Sequence, residues 1–179
     1  MHNEQQDLVI LVNEQDMEIG LMPKLEAHEK GVLHRAFSVF IFNTKGEMLL
    51  QQRAVNKYHS AGRWTNTCCS HPKPGEEIQD AARRRLREEM GLESGLTHLF
   101  SFVYNERFEN GLTEHEYDHV LAGVTNERPV INHEEAAGWK YASINEIEED
   151  IKNVPHDFSV WFKISYQKVV NQARETGMI

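Results

Sequence analysis

A thiol and an imidazole lie two residues apart, Cys69 and His71, at the end of the stretch Trp64-Thr65-Asn66-Thr67-Cys68-Cys69-Ser70-His71-Pro72. A thiol can hold or surrender a proton, and an imidazole can do the same or ligate a metal. The turn Lys73-Pro74-Gly75 follows, and then a run dense in Arg and Glu that reads as a helix. At about 100° per residue, Ile78, Ala82 and Leu86 form one stripe of that helix, with Ala81 beside it. Arg85 and Glu89 project from the same stripe, whereas Arg83 and Arg87 point away. Charges on a core-facing stripe are costly unless paired or bound to something. Two readings follow: an i,i+4 pair that satisfies itself, or part of a binding site. A second pair of carboxylates, Glu114 and Glu116, shares one face of an alternating strand, which puts His115 on the other face. Two carboxylates so placed repel unless they face water or are bridged by a cation.

These groups must be positioned by a chain of 179 residues, a length that suits one domain, here residues 1–179, with ample core. Hydrophobic content of 40% with 26% charged residues fits a soluble globular protein. The formal net charge of −9 argues against nucleic-acid binding, although an anionic substrate is compatible with locally concentrated basic residues or metals. Two adjacent cysteines cannot form a disulfide framework, which suggests a reducing compartment. The apolar run Leu8–Val12 is too short for a signal peptide or a membrane span. The expectation is a cytoplasmic protein that engages neither membrane nor nucleic acid.

Leu8–Val12 reads as a short buried strand, followed by a turn through Asn13-Glu14-Gln15-Asp16. Residues 20–31 read as polar and loop-like or briefly helical. His34 opens a strand over 36–42, Asn43-Thr44-Lys45-Gly46 forms a hairpin turn, and Met48–Arg53 returns. A loop over 54–63 carries Lys57, Tyr58 and His59. After the Arg/Glu helix, strands are expected over 99–104, Thr113–Val124 and 137–141, with a turn at Asn110-Gly111. Ser143-Ile144-Asn145-Glu146 has the form of a capping box opening a helix to about Asn153. Pro155 ends it, and an amphipathic helix over 159–174 closes the chain.

The run Arg84-Arg85-Leu86-Arg87-Glu88-Glu89-Met90-Gly91-Leu92 resembles the end of the Nudix box, with Glu76 at the box position before Arg84. Two positions depart from it: Ser70 replaces the box Gly, and Arg85 replaces a carboxylate that Nudix hydrolases use to hold Mg²⁺. With Cys69-Ser70-His71-Pro72 at the head of the box, the pattern resembles type I isopentenyl-diphosphate isomerase, a branch of the Nudix superfamily. Ala27-His28, Leu33-His34-Arg35-Ala36-Phe37-Ser38 and Glu114-His115-Glu116 extend that resemblance over nearly the whole chain.

The resemblance implies an α/β fold, a Nudix-like sandwich with a mixed β-sheet between helices. It implies a divalent metal, Mn²⁺, Zn²⁺ or Mg²⁺, held by His28, His34, His71, Glu114 and Glu116, a mixed nitrogen and oxygen set. His alone is weak evidence in a chain with ten of them, and His115 and His119 are set aside as neighbours. Lys24, Arg53, Lys57 and Arg85 match substrate-binding cations, and Glu89 matches the ligand of a substrate-linked Mg²⁺. Read without the family, Lys24 and Lys57 are plain surface charge.

The implied reaction interconverts isopentenyl and dimethylallyl diphosphate by moving a proton on and a proton off across three carbons. Cys69 and Glu116 are the implied acid/base pair. The sequence leaves the direction of each transfer open, and Glu116 as acid with Cys69 as base is the assignment adopted. Tyr104 is expected to assist the relay. Trp161 either offers a π face to a carbocation or anchors its helix in the core. Cys68, on the other side of an extended stretch, reads as core packing. The rival readings are a Nudix-type diphosphate hydrolase and a non-catalytic metal-binding module, and the oligomeric state is open between monomer and dimer.

Overall fold

The computed structural model describes residues 7–57 and 59–179, so residues 1–6 and Tyr58, noted above in its loop, lie outside the described residues. The sheet is organised around one strand, β3 (His34–Phe42). Strand β1 (Leu8–Val12) pairs with β2 (Glu18–Pro23) and touches β3 at Leu11↔His34. Further along the same edge β3 meets the short β6 (Cys68–Ser70) and β4 (Met48–Arg53), both antiparallel. Its longest partnership is parallel and takes its other edge, with β8 (Thr113–Val124), from His34↔Glu116 to Phe42↔Val124. β8 in turn pairs with β7 (Thr97–Arg107), while β4 pairs with β5 (Trp64–Thr65) and β9 (Ala136–Ala142). The sheet is therefore mixed, as expected.

Helices cover both faces, which is why β3 is apolar on both from Ala36 to Phe42, with Ser38 the one polar side chain. Phe40 and Phe42 face α4 (Val160–Glu175) in a core shared with Phe162, Val169 and Val170. Phe37, Val39 and Ile41 face the opposite way, against Ala81, Ala82 and Leu86 of α2 (Ile78–Met90). Strand alternation divides the two cysteines in the same manner. Cys68 is buried in the α2 core, and Cys69 packs against the α4 core.

The helix signals behave as their chemistry dictates. Ser143 and Glu146 form the reciprocal capping box at the start of α3 (Ile144–Asn153). A 3₁₀ turn at Pro155–Asp157 separates α3 from α4. α2 ends at Gly91 in the left-handed region (φ 62°), where a Cβ would come within 2.7 Å of the Val130 carbonyl oxygen. One expectation is corrected. The stretch 20–31, read as loop-like or briefly helical, is helical over α1 (Lys24–Lys30), but its start lies inside strand β2. The register Met22↔Val9 and Leu21↔Ile10 explains it: the partner strand, and not local propensity, makes this segment extended.

The turn before α2 is clamped by Glu76. Its Oε2 accepts from the Lys73 backbone N–H at 2.8 Å, and both its oxygens accept from Arg84, at 2.7 and 2.8 Å. The Arg84 bond, ahead of the smaller opposing cost of burial, holds the Glu76 carboxyl below the usual carboxylate range. A depressed carboxylate contributes stability above its unfolded pKa and loses it as pH falls through the lower folded value. Glu76→Gln should therefore cost roughly 1 kcal/mol at neutral pH. In urea titrations at successive pH values, that difference should close as the pH falls through the acid range.

Candidate active site

Four side chains from four separated segments converge at the open end of the β3–β8 pair. His28 lies on α1, His34 opens β3, His71 follows β6, and Glu116 lies on β8 directly across from His34. Each offers a ligand atom within 4.8 Å of the others. Glu116 Oε1 is 3.0 Å from His71 Nε2 and 3.5 Å from His34 Nε2. His34 Nδ1–H donates to the Val32 carbonyl at 2.8 Å, which turns Nε2 toward the cluster. That Nε2 is buried and makes no hydrogen bond, an arrangement proteins avoid unless something else binds there. Three imidazole nitrogens and a carboxylate oxygen fit a divalent ion of the Zn²⁺ or Mn²⁺ type.

Glu114, the fifth expected ligand, stands beside this group of four. Its Oε1 is 3.0 Å from His59 Nε2, and its Oε2 accepts from the Tyr104 hydroxyl at 3.1 Å. The same hydroxyl bonds Glu116 Oε2 at 2.6 Å. Tyr104 thus ties the two carboxylates of β8 together from the neighbouring strand.

The electrostatics favour ligation. Burial, helped by His71 and His34, pushes His28 down to about 3, and burial pushes His71 down to about 4 against the pull of Glu116. Both imidazoles are neutral at physiological pH, the form that binds metal. At His34 burial pulls the same way but is outweighed by Glu116, so its pKa rises. Glu116 is itself held well below the carboxylate range by His34 and His71, although burial opposes this.

A cavity of about 310 Å³ opens over the cluster. Cys69, Tyr104, Glu114 and Glu116 line it together with His28 and His71, whereas His34 is not part of its lining. All four expected cations, Lys24, Arg53, Lys57 and Arg85, reach the same cavity. Lys57 pairs with Glu135, and Arg85 donates to Glu89 at 2.7 Å and Glu88 at 2.8 Å. The Nε of Arg53 and the Nε of Arg85 are buried without a hydrogen-bond partner, so the site holds donors to spare for an anion. Both readings of the Arg85–Glu89 pair therefore hold: the pair exists, and it borders the cavity. Glu89 is nearly fully buried, with Gln51 Nε2 donating to it at 2.9 Å.

Trp161 is likewise both a core residue and a cavity wall. Its Nε1 donates to Asn66 Oδ1 at 3.1 Å, and the Arg53 guanidinium lies 5.2 Å from its ring centroid. Burial raises the Cys69 thiol well above its ordinary value, with Arg53 opposing, so the resting thiol keeps its proton.

The NUDIX domain family matches residues 32–162. Isopentenyl-diphosphate Delta-isomerase 2 of Aromatoleum aromaticum is 49% identical over 93% of this chain and 88% of its own. Isopentenyl-diphosphate Delta-isomerase of Pectobacterium atrosepticum is 51% identical over 90% of each chain. The chain belongs to the isopentenyl-diphosphate Delta-isomerase family of NUDIX proteins. Among solved structures, a Deinococcus radiodurans protein superposes with a TM-score of 0.68 at 20% identity, covering 82% of this chain and 90% of that one. A MutT protein from Methanosarcina mazei gives 0.63 at 18% identity, over 80% and 95%. These two share the fold.

Sequence reasoning about this isomerase-family chain did not single out three residues that the structure brings to the site. His59 bonds Glu114 and stacks on Phe108 at 4.6 Å. Glu135 joins Lys57 to Arg85. Asp118 extends the β8 face beyond Glu114 and Glu116, buried and bonded by the Ser38 hydroxyl at 2.8 Å. Period-2 alternation could have found Asp118; His59 and Glu135 lie in loops with no periodic signal. Because His34 is the imidazole that favours its proton, metal uptake should displace that proton. Titrating metal-free protein with Zn²⁺ in a weakly buffered pH-stat should show acid release. His34→Gln should reduce that release. Proton release unchanged in the variant would rule out His34 as its source.

Proposed function

We propose that this protein isomerises isopentenyl diphosphate to dimethylallyl diphosphate in one domain, with Cys69 and Glu116 as the proton-transfer pair. The observation that carries the reading is that both groups face one cavity rimmed by four cations. The diphosphate lies among Lys24, Arg53, Lys57 and Arg85, where bidentate guanidinium contacts and lysine point charges suit it. The five-carbon tail then reaches down to the floor between the thiol and the carboxyl.

Glu116 delivers a proton to the terminal methylene carbon, and Cys69 takes one from the carbon next to the oxygen-bearing methylene. The double bond shifts by one position, and the substrate gains and loses one proton. Between the two transfers the tail carries a tertiary carbocation, which the face of Trp161 stabilises and the enclosed cavity shields from water. This step leaves Glu116 ionised and Cys69 protonated, the protonation state the two environments favour at rest. Each forward turnover therefore begins with one proton moving from the Cys69 thiol to Glu116, delivered by the Tyr104 hydroxyl 2.6 Å from Glu116 Oε2, which sets the pair as thiolate and acid. The reverse reaction starts from that resting state, so one site serves both directions. Arg53, the nearest opposing charge to the thiol, stabilises the thiolate whenever it forms.

A divalent ion, Zn²⁺, Mn²⁺ or Mg²⁺, held by His28, His34 and His71 with Glu116 and Glu114 would supply fixed positive charge beside the Glu116 carboxyl. Mg²⁺ at Glu89 would offset the charge of the bound diphosphate. The substrate is a small molecule, and no nucleic acid or membrane enters the reaction. Among the described residues, no helix is long and apolar enough to cross a membrane. A thiol that must stay reduced to function fits a cytoplasmic enzyme. The hydrolase alternative is disfavoured by Arg85, which engages Glu88, Glu89 and Glu135 where a hydrolase would use a carboxylate.

Incubation with isopentenyl diphosphate in D₂O, followed by proton NMR, should show the allylic isomer and deuterium in both isomers. Phosphate release without isomerisation would favour the hydrolase. Cys69→Ala should remove at least the roughly 10²–10⁴-fold that a positioned acid or base supplies. Cys68→Ala, on the opposite side of the strand, should keep most of the turnover. Equal loss in both variants, with folding intact, would overturn the Cys69 assignment.

Glu116→Gln keeps shape and one oxygen donor but removes the acid. Its turnover should stay depressed by a similar factor when metal content, measured by elemental analysis, has been restored to the wild-type level. Recovery of kcat at saturating metal would leave Glu116 as a ligand alone.

A further inference from the structure

The opposite face of the β7–β8 ribbon carries a second convergence of donor atoms that the isomerisation does not use. His98 Nε2, Ser101 Oγ and His119 Nδ1 form a nearly equilateral triangle, with separations of 3.1, 3.1 and 3.3 Å. A backbone irregularity creates it. Ser101 pairs with His119 across the ribbon, and regular alternation would send His98 to the other side of β7. The register instead shifts between His98 and Phe100, and His98 comes to pair with Leu121, on the His119 face. A β-bulge that re-aims one side chain is a common device at sheet edges and functional sites.

The triangle is buttressed. His119 Nε2 lies 2.8 Å from Asp16 Oδ2, which places the ring proton on Nε2 and leaves a lone pair on Nδ1, facing His98. Arg35 in turn grips Asp16, its Nε donating to Oδ1 at 2.7 Å and its Nη2 to the backbone oxygen at 2.6 Å. A carboxylate that orients an imidazole through its far nitrogen is the usual support of a metal-ligating histidine. Asp16 itself holds a left-handed conformation (φ 60°) in the β1–β2 turn.

We propose that His98, His119 and Ser101 form a second divalent-metal site, with Asp16 and Arg35 fixing the orientation of His119. Two nitrogens bound to one tetrahedral ion at about 2.0–2.1 Å stand roughly 3.3 Å apart, the separation of these two rings. The hydroxyl is the third donor, and water completes the shell. Two imidazoles select borderline ions, Zn²⁺, Ni²⁺ or Cu²⁺, over Mg²⁺. Burial lowers the pKa of His119 despite Asp16, so that ring is neutral and available. His98 is exposed and His119 partly so, which leaves the triangle open to solvent ions. A bound ion would clip β7 to β8, the strands that carry Tyr104 and Glu116 on their other face.

Equilibrium dialysis of metal-free protein against Zn²⁺ tests the site. The full-length protein should take up one more equivalent than His98→Ala, an exposed position whose replacement leaves the core untouched. In NMR spectra the ring signals of His98 and His119 should move together as that equivalent binds. Asp16→Asn, which tolerates the left-handed turn, should weaken the same equivalent by about 10–100-fold. Isomerase turnover of His98→Ala at saturating Mg²⁺ should match that of the parent. Equal Zn²⁺ uptake by the parent and His98→Ala, or ring signals of His98 and His119 that do not respond, would overturn the proposal and leave a hydrogen-bonded triangle only.

Discussion

Glu116 is a buried carboxylate kept ionised by two imidazoles, His34 that favours its proton and His71 that does not, and the site depends on that arrangement. A lone charge at this depth would cost several kcal/mol and would ordinarily neutralise itself. Here the His34 and His71 imidazoles and the Tyr104 hydroxyl meet its two oxygens, and no Lys or Arg pairs with it among the described residues. The compensation is partial by design, because imidazoles can exchange a proton for a metal ion without moving. The parallel pairing of β3 with β8 makes this possible. It sets His34 and Glu116 side by side where the β3–β8 pairing begins, and the cavity opens over Glu116.

The cations follow a complementary logic. Arg85 and Lys57 are matched by Glu88, Glu89 and Glu135, so the apo cavity is not a concentrated positive field. The carboxylates hold the cations beside the cavity, where the proposed diphosphate would replace part of their work. The two orphaned guanidinium Nε groups measure what is left for the ligand. A net acidic chain can thus bind a multiply charged anion without a basic surface.

Much of this was legible in the sequence, for identifiable reasons. The bounds of Thr113–Val124, the Ser143 capping box and the separation of Cys68 from Cys69 rest on local periodicity or local hydrogen bonding, which a sequence carries directly. The Arg85–Glu89 stripe was legible as an anomaly, polar groups where the helix should be apolar. What was not legible depends on partners far along the chain. β2 is a strand because β1 lies beside it, and His59 meets Glu114 only because a loop folds back over the cavity. The bulge that turns His98 breaks the very alternation by which faces are assigned, so period-2 reasoning places that residue on the wrong side.

Asp118 shows how finely depth decides the chemistry of one strand face. Glu114, Glu116 and Asp118 alternate along β8 with the same outward direction, yet only the first two line the cavity. Asp118, one step further along the strand, accepts from the Ser38 hydroxyl at one oxygen, and its other oxygen is buried without a hydrogen-bond partner. Burial, reinforced by the charge of Glu116, lifts its pKa well above the ordinary carboxylate value, which favours the protonated form beside an ionised neighbour. The imidazoles make the difference, since they reach Glu116 and stop there. Had Asp118 also ionised, the two charges would raise each other, and the Glu116 carboxyl would no longer lie so far below its ordinary value. A neutral Asp118 therefore lets negative charge collect beside the three imidazoles, in a cluster that could hold a metal ion, and keeps it out of the rest of the strand face.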